Sequence, residues 1–233
     1  MPVADRDTRF AIYFVPDRKS GLYQFGASVL GYDCYAEQDA VFHTSAPSGW
    51  RGSVDGARTY GFHATLKAPF RLLAGATLIE LVAAFDNFAQ GQRPLGLVAL
   101  QMRNIGSFIA LTPSAPNAAI DALAAACVRF FEPFRAPLDE KDRQRRLAAN
   151  LTARQAENLD RWGYPYVFED FRFHMTLTGP LPDAERPQAL EWLRSSFNEN
   201  MSLAATNIDR IVIARQTSGQ PFVIIREAML SGR

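Results

Sequence analysis

The sequence predicts an α+β fold built from a duplicated unit, and three observations point there. The 233 residues are 48% hydrophobic and 21% charged, enough apolar surface for one sizeable core and too hydrophobic for a disordered chain. The order strand, helix, strand, strand reads twice, once from Phe62 and once from Phe171. Both opening strands carry the same pattern, F-H-x-T-L, at residues 62–66 and 173–177. We read one two-lobed domain over residues 1–233: a first repeat at about 57–135, a connector at about 136–165 and a second repeat at about 166–233. An N-terminal strand at residues 10–15 joins its sheet.

Residues 10–15 are an unbroken apolar strand. The mixture of Gly, Asp and aromatics over residues 20–56 reads only as loops with some short helix. Residues 62–67 form the next strand. Leu78, Leu81, Val82, Phe85 and Phe88 then recur at helical spacing, with Gly91 as the stop. Residues 95–102 and 105–111 are rich in β-formers and suit a hairpin turning at Asn104. Asn117 can cap a helix whose apolar face runs from Ile120 to Phe131 before Pro133 ends it. Residues 139–146 read as a solvated helix carrying both signs of charge, so Arg143, Arg145 and Arg146 are neutralised locally by Asp139, Glu140 and Asp142. Thr152 and Gln155 make a capping box for a helix to Trp162, with Gly163 beyond. A strand at residues 171–177, a helix at about 183–198 and strands at 208–214 and 222–226 complete the second unit.

Charge and targeting signals narrow the function. Lys and Arg total 25 against 24 Asp and Glu, so no uniform field draws the chain to polyanions, which disfavours a long nucleic acid as partner. The charged first nine residues lead into a strand rather than a signal-peptide core, and no apolar run approaches the 18 or so residues a membrane helix needs. A cytoplasmic protein without membrane contact is expected. Cys34 and Cys127 show neither metal-ligand nor redox spacing and read as buried, reduced thiols.

The repeated motif carries the chemistry. With Thr at 11 of 233 positions and only three histidines, under about 1% of shuffled chains would place Thr two residues after two of them. Alternation along a strand puts His63, Thr65 and Lys67 on one face and Phe62, Ala64 and Leu66 on the other; His174, Thr176 and Thr178 repeat this opposite Phe173, Met175 and Leu177. If the copies pack about a pseudo-twofold axis, the two polar faces can line opposite walls of one cleft. Two imidazoles there can act as base and acid at neutral pH, and Thr65 and Thr176 can hold the non-bridging oxygens of a phosphodiester. His63 and His174 are therefore the candidate catalytic residues. Thr65 and Thr176 are the candidate phosphate ligands, with Lys67, Tyr13 and Thr178 as further candidates for substrate contact. His43 lacks the Thr and reads as structural. Trp162, Tyr164, Tyr166, Phe168 and Phe171 read first as core, with a stacking wall for a base or sugar as the alternative. Three histidines without H-x-x-x-H spacing and no clustered Cys leave no metal site, and no cofactor is expected.

The paired H-x-T-L motifs, and the segments RTYGFHATLKAPF and RWGYPYVFEDFRFHMTLTG around them, resemble the 2H phosphoesterase superfamily. The nearer likeness is to its branch of unknown function commonly encoded beside phosphonate-degradation genes. The resemblance implies antiparallel sheets forming a central cleft with helices outside, and metal-independent hydrolysis of a cyclic phosphate ester of a small nucleotide or sugar. The phosphonate setting suggests a ribose 1,2-cyclic phosphate. Alternatives within the same site are a 2′,3′-cyclic phosphodiesterase or ligase acting on RNA ends, and a non-catalytic module that binds phosphate esters. Two groups titrating near pH 7 argue against the last, because binding alone needs only Arg or Lys.

Overall fold

The structure is a computed structural model that describes residues 7–198 and 205–232. Its frame is a strongly curled antiparallel sheet of eight strands in the order β10-β9-β1-β4-β7-β6-β5-β8. These strands are β1 (Arg9–Phe14), β4 (Ala64–Phe70), β5 (Leu95–Ile105), β6 (Phe108–Pro113), β7 (Met175–Thr176), β8 (Ala205–Ile208), β9 (Arg210–Gln216) and β10 (Val223–Met229). A two-residue pair, β2 (Tyr32–Asp33) and β3 (Gln38–Asp39), stands apart.

Seven α-helices occur among the described residues: α1 (Gly21–Leu30), α2 (Trp50–Arg58), α3 (Leu78–Gly91), α4 (Ala118–Phe130), α5 (Glu140–Leu147), α6 (Ala153–Trp162) and α7 (Arg186–Asn198). The capping boxes Thr77–Glu80 of α3 and Thr152–Gln155 of α6 form as their sequences demand, each satisfying two orphan amides of a first turn. Gly163 closes α6 in the left-handed conformation, and the Asn117 side chain accepts from Ala119 and Ile120 at the start of α4.

The sheet divides at its centre, where β4 meets β7. On one side lie β4, β1, β9 and β10, with α3 packed on β9 and β10; on the other lie β7, β6, β5 and β8, with α7 on β5 and β6. Each lobe thus draws strands from both halves of the chain. The hairpin of the first repeat joins the motif strand of the second, and the hairpin of the second lies on the side of the first. The lobes therefore do not coincide with the sequence repeats.

Several boundaries differ from the sequence expectation. The β5–β6 hairpin turns at Gly106, in positive φ, while Asn104 stays in the strand opposite Ile109. Four residues, Ala205–Ile208, form β8, which pairs with β5 and was not expected. The second motif strand is only two residues long, because the chain on either side of β7 leaves the ladder.

Candidate active site

The motif positions keep their alternation. Phe62, Ala64, Leu66, Phe173, Met175 and Leu177 are all buried in the core, whereas His63, Thr65, His174 and Thr176 are partly exposed. Burying Phe62 alone stabilises by roughly 1.5–3 kcal/mol. It also fixes the strand, since α1 crosses at Gly26, where any side chain would collide with the Phe62 ring.

One backbone pair sets the geometry. Ala64 lies opposite Met175 in the antiparallel β4–β7 ladder, so one step to either side brings His63 opposite Thr176 and Thr65 opposite His174. The motifs are mutually inverted about that pair. Residues directly opposite have Cβ atoms about 5 Å apart and diagonal neighbours lie about 7 Å apart, which places the two imidazoles diagonally across one seam. They stand immediately before β4 and β7, neighbouring strands of a single sheet, rather than on opposite walls.

The two histidines are held alike. Nδ1 of His63 donates to the Gly61 carbonyl at 3.0 Å, and Nδ1 of His174 donates to the Arg172 carbonyl at 2.8 Å, each two residues back. A carbonyl only accepts, so each Nδ1 carries the proton and each Nε2 presents a lone pair. The Thr65 hydroxyl sits 3.1 Å from Nε2 of His63. Gly61 is required at its position: its φ is +70°, and a Cβ there would lie 2.8 Å from the Cβ of Cys34. Burial pushes the His63 imidazole down to about 4; the Gly61 carbonyl opposes this and His174 adds to it. Burial lowers His174 too, against the pull of the Arg172 carbonyl.

Around the seam the cleft is aromatic. The Tyr13 ring lies 3.9 Å from that of His63, and the Tyr60 ring stacks with it at 6.1 Å. Phe108 lies 5.8 Å from His174. The half of the cleft beside Thr65 and His174 encloses about 650 Å³ and is lined by Phe108, Tyr164, Tyr166, Phe168 and Phe171 among others. A smaller volume of about 220 Å³ lies beside His63 and Thr176. Tyr164, Tyr166, Phe168 and Phe171 thus line the cleft, the alternative the sequence left open, while Phe171 also packs against the core as first read; Trp162 lies edge-on to Phe168 at 5.1 Å. Phe168 has a positive φ of 54°, rare for a bulky residue, and the Arg129 guanidinium covers its ring at 4.5 Å. Arg154 clamps Asp170 with bonds of 2.7 and 3.0 Å, holding this turn on α6.

The remaining candidates lie differently. An extra residue in β4, Leu66, separates the pairs Tyr13↔Thr65 and Ile12↔Lys67, so Lys67 falls out of phase with Thr65. Only 3% exposed, it donates to Glu132 at 2.8 Å and to the Val128 carbonyl at 3.0 Å. Its ammonium is committed beneath α4, away from the expected His63 face. Thr178 is wholly buried and accepts from the Ile109 amide at 3.0 Å, tying the end of the motif to β6. Tyr13 is buried against the His63 ring, and among the described residues its hydroxyl has no hydrogen-bond partner. His43 bonds Ser45 and packs against Trp192, remote from the seam. Tyr60, Phe108 and Arg154 escaped the sequence reading. Only Tyr60 left a signal, three residues before His63. Among the described residues no three His, Cys, Asp or Glu side chains come together to hold a metal, and no helix is long and apolar enough to cross a membrane.

Residues 65–223, more than half of the chain, match a family described as a protein of unknown function, DUF1045. The chain belongs to the DUF1045 family. This DUF1045 chain is 37% identical, over 97% of its length, to a protein of Janthinobacterium sp. (strain Marseille) named ribose 1,5-bisphosphate phosphokinase PhnN. It is 34% identical, over 82% of its length, to a protein of the same name from Laribacter hongkongensis. It spans 51% and 44% of those two proteins, about half of each. Among solved structures, a conserved protein of unknown function from Agrobacterium tumefaciens superposes with a TM-score of 0.41 at 10% identity, covering 94% of this chain and 85% of that one.

Proposed function

We propose that this DUF1045 chain is a 2H-type phosphodiesterase that hydrolyses a cyclic phosphate ester of a small sugar or nucleotide without a metal. The observation that carries this reading is the inverted crossing of the two H-x-T motifs on β4 and β7. It sets two imidazoles, each with Nδ1 bound to a carbonyl, and two hydroxyls around one seam, where the Thr65 hydroxyl that now meets Nε2 of His63 would turn to a bound phosphate.

Roles follow from the surroundings. His63, against the Tyr13 and Tyr60 rings and held down to about 4, stays neutral and serves as base; His174, beside Phe108, delivers a proton as acid. Water attacks phosphorus and gives its proton to Nε2 of His63. The bond from phosphorus to one ring oxygen breaks, and that oxygen leaves with the proton of His174. Thr65 and Thr176 turn their hydroxyls to the non-bridging oxygens as charge builds there. Water is consumed and a phosphate monoester is formed.

The sugar reading draws on the names of the relatives. Opening a ribose 1,2-cyclic phosphate that bears a 5-phosphate, with loss of the bond to O2, yields ribose 1,5-bisphosphate, the compound in those names. None of the three lysines of this chain follows a glycine, so it holds no G-x-x-x-x-G-K-[ST] loop for a nucleotide. A kinase step then belongs to the half of the relatives that this chain does not match. The chain would thus prepare the substrate of that half, a role within phosphonate breakdown.

Incubation with ribose 1,2-cyclic phosphates and 2′,3′-cyclic nucleotides in EDTA, followed by ³¹P NMR, tests the proposal. A monoester should appear from at least one ester of the panel. Inert esters throughout, or turnover only after zinc or manganese is added, would reject it.

A further inference from the structure

The sheet face that carries the histidine seam continues beyond β7. Ala110 and Leu111 of β6 pair with Thr176 and Met175, and on the other side of β6 Arg103 of β5 pairs with Ala110. Residues directly opposite across a ladder share a face, so Arg103 lies on the face of Thr176, and Thr112 on that of His174. Above this part of the face runs a groove of about 430 Å³, lined by Arg103, Thr112, Ser114, Phe171 and Arg172 among others. It adjoins the larger half of the cleft, since Ile105, Gly106, Phe171 and Arg172 line both.

Arg172 stands where the two spaces meet. Its carbonyl holds Nδ1 of His174, while its exposed side chain lines the cleft and the groove alike. Arg103 is exposed at the groove. Among the described residues neither guanidinium has a carboxylate within ion-pair distance. The acids nearby are three. Asp121 lines the groove from the first turn of α4, where the helix N-terminus offsets its charge. In the cleft, Asp170 is held by Arg154 and Gln155, and Glu169 is exposed and pairs with neither Arg103 nor Arg172.

Two guanidinium forks lining one polar groove suit the oxygens of a phosphate, which each fork can take two at a time. We propose that Arg172 and Arg103 form a subsite for a second phosphate group on the substrate, in the groove that extends the cleft over β6 and β5. Arg103 starts two strand spacings, about 10 Å, from Thr176, and Arg172 only two residues from His174. With the reach of both side chains, a pentose and its exocyclic carbon span the gap between this groove and the seam. The subsite deepens the phosphodiesterase reading and rests on it for the ester held at the histidines. Binding of the second phosphate needs no chemistry there.

Calorimetric titration with ribose 1,5-bisphosphate and with ribose 1-phosphate separates the two ideas. Wild-type protein should bind the bisphosphate about 10- to 100-fold more tightly, the usual worth of charge-assisted bonds to one added phosphate. Arg172→Met and Arg103→Met should each cut that preference at least about fivefold, and the double variant should abolish it. Arg172→Lys, which keeps the charge and loses the fork, should fall between and serves if the Met variant does not fold. His174→Ala should weaken both ligands alike and leave the preference in place, because it touches only the seam. A wild type without the preference would overturn the subsite, as would a preference that survives in both arginine variants. If cyclic esters prove substrates, the preference in kcat/KM for the 5-phosphorylated ester should fall by the same factor in those variants. If none is hydrolysed, the titration still decides the subsite.

Discussion

The roles proposed for His63 and His174 rest on what touches them. A general acid or base contributes about 10²–10⁴ in rate, so His63→Ala and His174→Ala should each lower kcat by that factor, and Thr65→Ala or Thr176→Ala by less. Steady-state kinetics on the ester identified by ³¹P NMR, with circular dichroism to confirm folding, checks this. Burial of His63 also has a consequence for stability. Its imidazole titrates near 4 in the folded chain against about 6.5 when unfolded. Above pH 6.5 both states are neutral. As pH falls from 6.5 to 4, the unfolded chain takes a proton that the folded one refuses, so stability drops across that window and levels off below it. Urea unfolding at several pH values should show this slope, and His63→Gln should flatten it. The alternation of His63, Thr65, His174 and Thr176 with their buried neighbours was legible in the sequence, because a repeat and a strand period both mark it. Lys67 was misread because one extra residue, Leu66, shifts the phase of β4, and a bulge leaves no trace in an alternating pattern. Arg146 was misread because a helix of mixed charge looks solvated until the fold turns one guanidinium inward.

At the scale of elements, helices with strong end signals were read to within a residue or two: α3 and α6 carry capping boxes, and α4 carries an Asn cap. The region that held α1, β2, β3 and α2 was not resolved, because its Gly and aromatic residues serve close packing rather than a helical or strand period. Gly26 over Phe62 and Gly61 against Cys34 are examples. Gly61 permits a test. Gly61→Ala meets both a positive φ and the Cys34 side chain, and should cost at least about 1–2 kcal/mol in urea unfolding. It should also reduce turnover by moving the carbonyl that orients His63. The link between β4 and α4 gives a second. Glu132 holds both Lys67 and Arg135. Glu132→Gln therefore strands a buried ammonium and should cost about 3 kcal/mol or more, whereas Lys67→Met leaves Glu132 still paired and should cost less. The reverse order would show that Lys67 is held by something other than this pair.

For the molecule as a whole, the interleaving of the repeats matters most. The duplication was legible from element order and motif, but which hairpin joins which motif strand was not, since sequence periodicity is blind to long-range pairing. Because each lobe takes strands from both halves, neither half has a closed core. Calorimetry should show one cooperative transition, and two resolved transitions would contradict the interleaved sheet. The interleaving also sets β4 beside β7 and so brings the two motifs together. The central claim is that both motifs act on one phosphorus atom. A crystal structure with inorganic phosphate or a slow cyclic-ester analogue tests it most directly. The account predicts one phosphate group over the Ala64–Met175 pair, with a nitrogen or hydroxyl from each motif within about 3 Å of its oxygens. A phosphate bound by one motif alone, or bound elsewhere while His63 and His174 point apart, would contradict it.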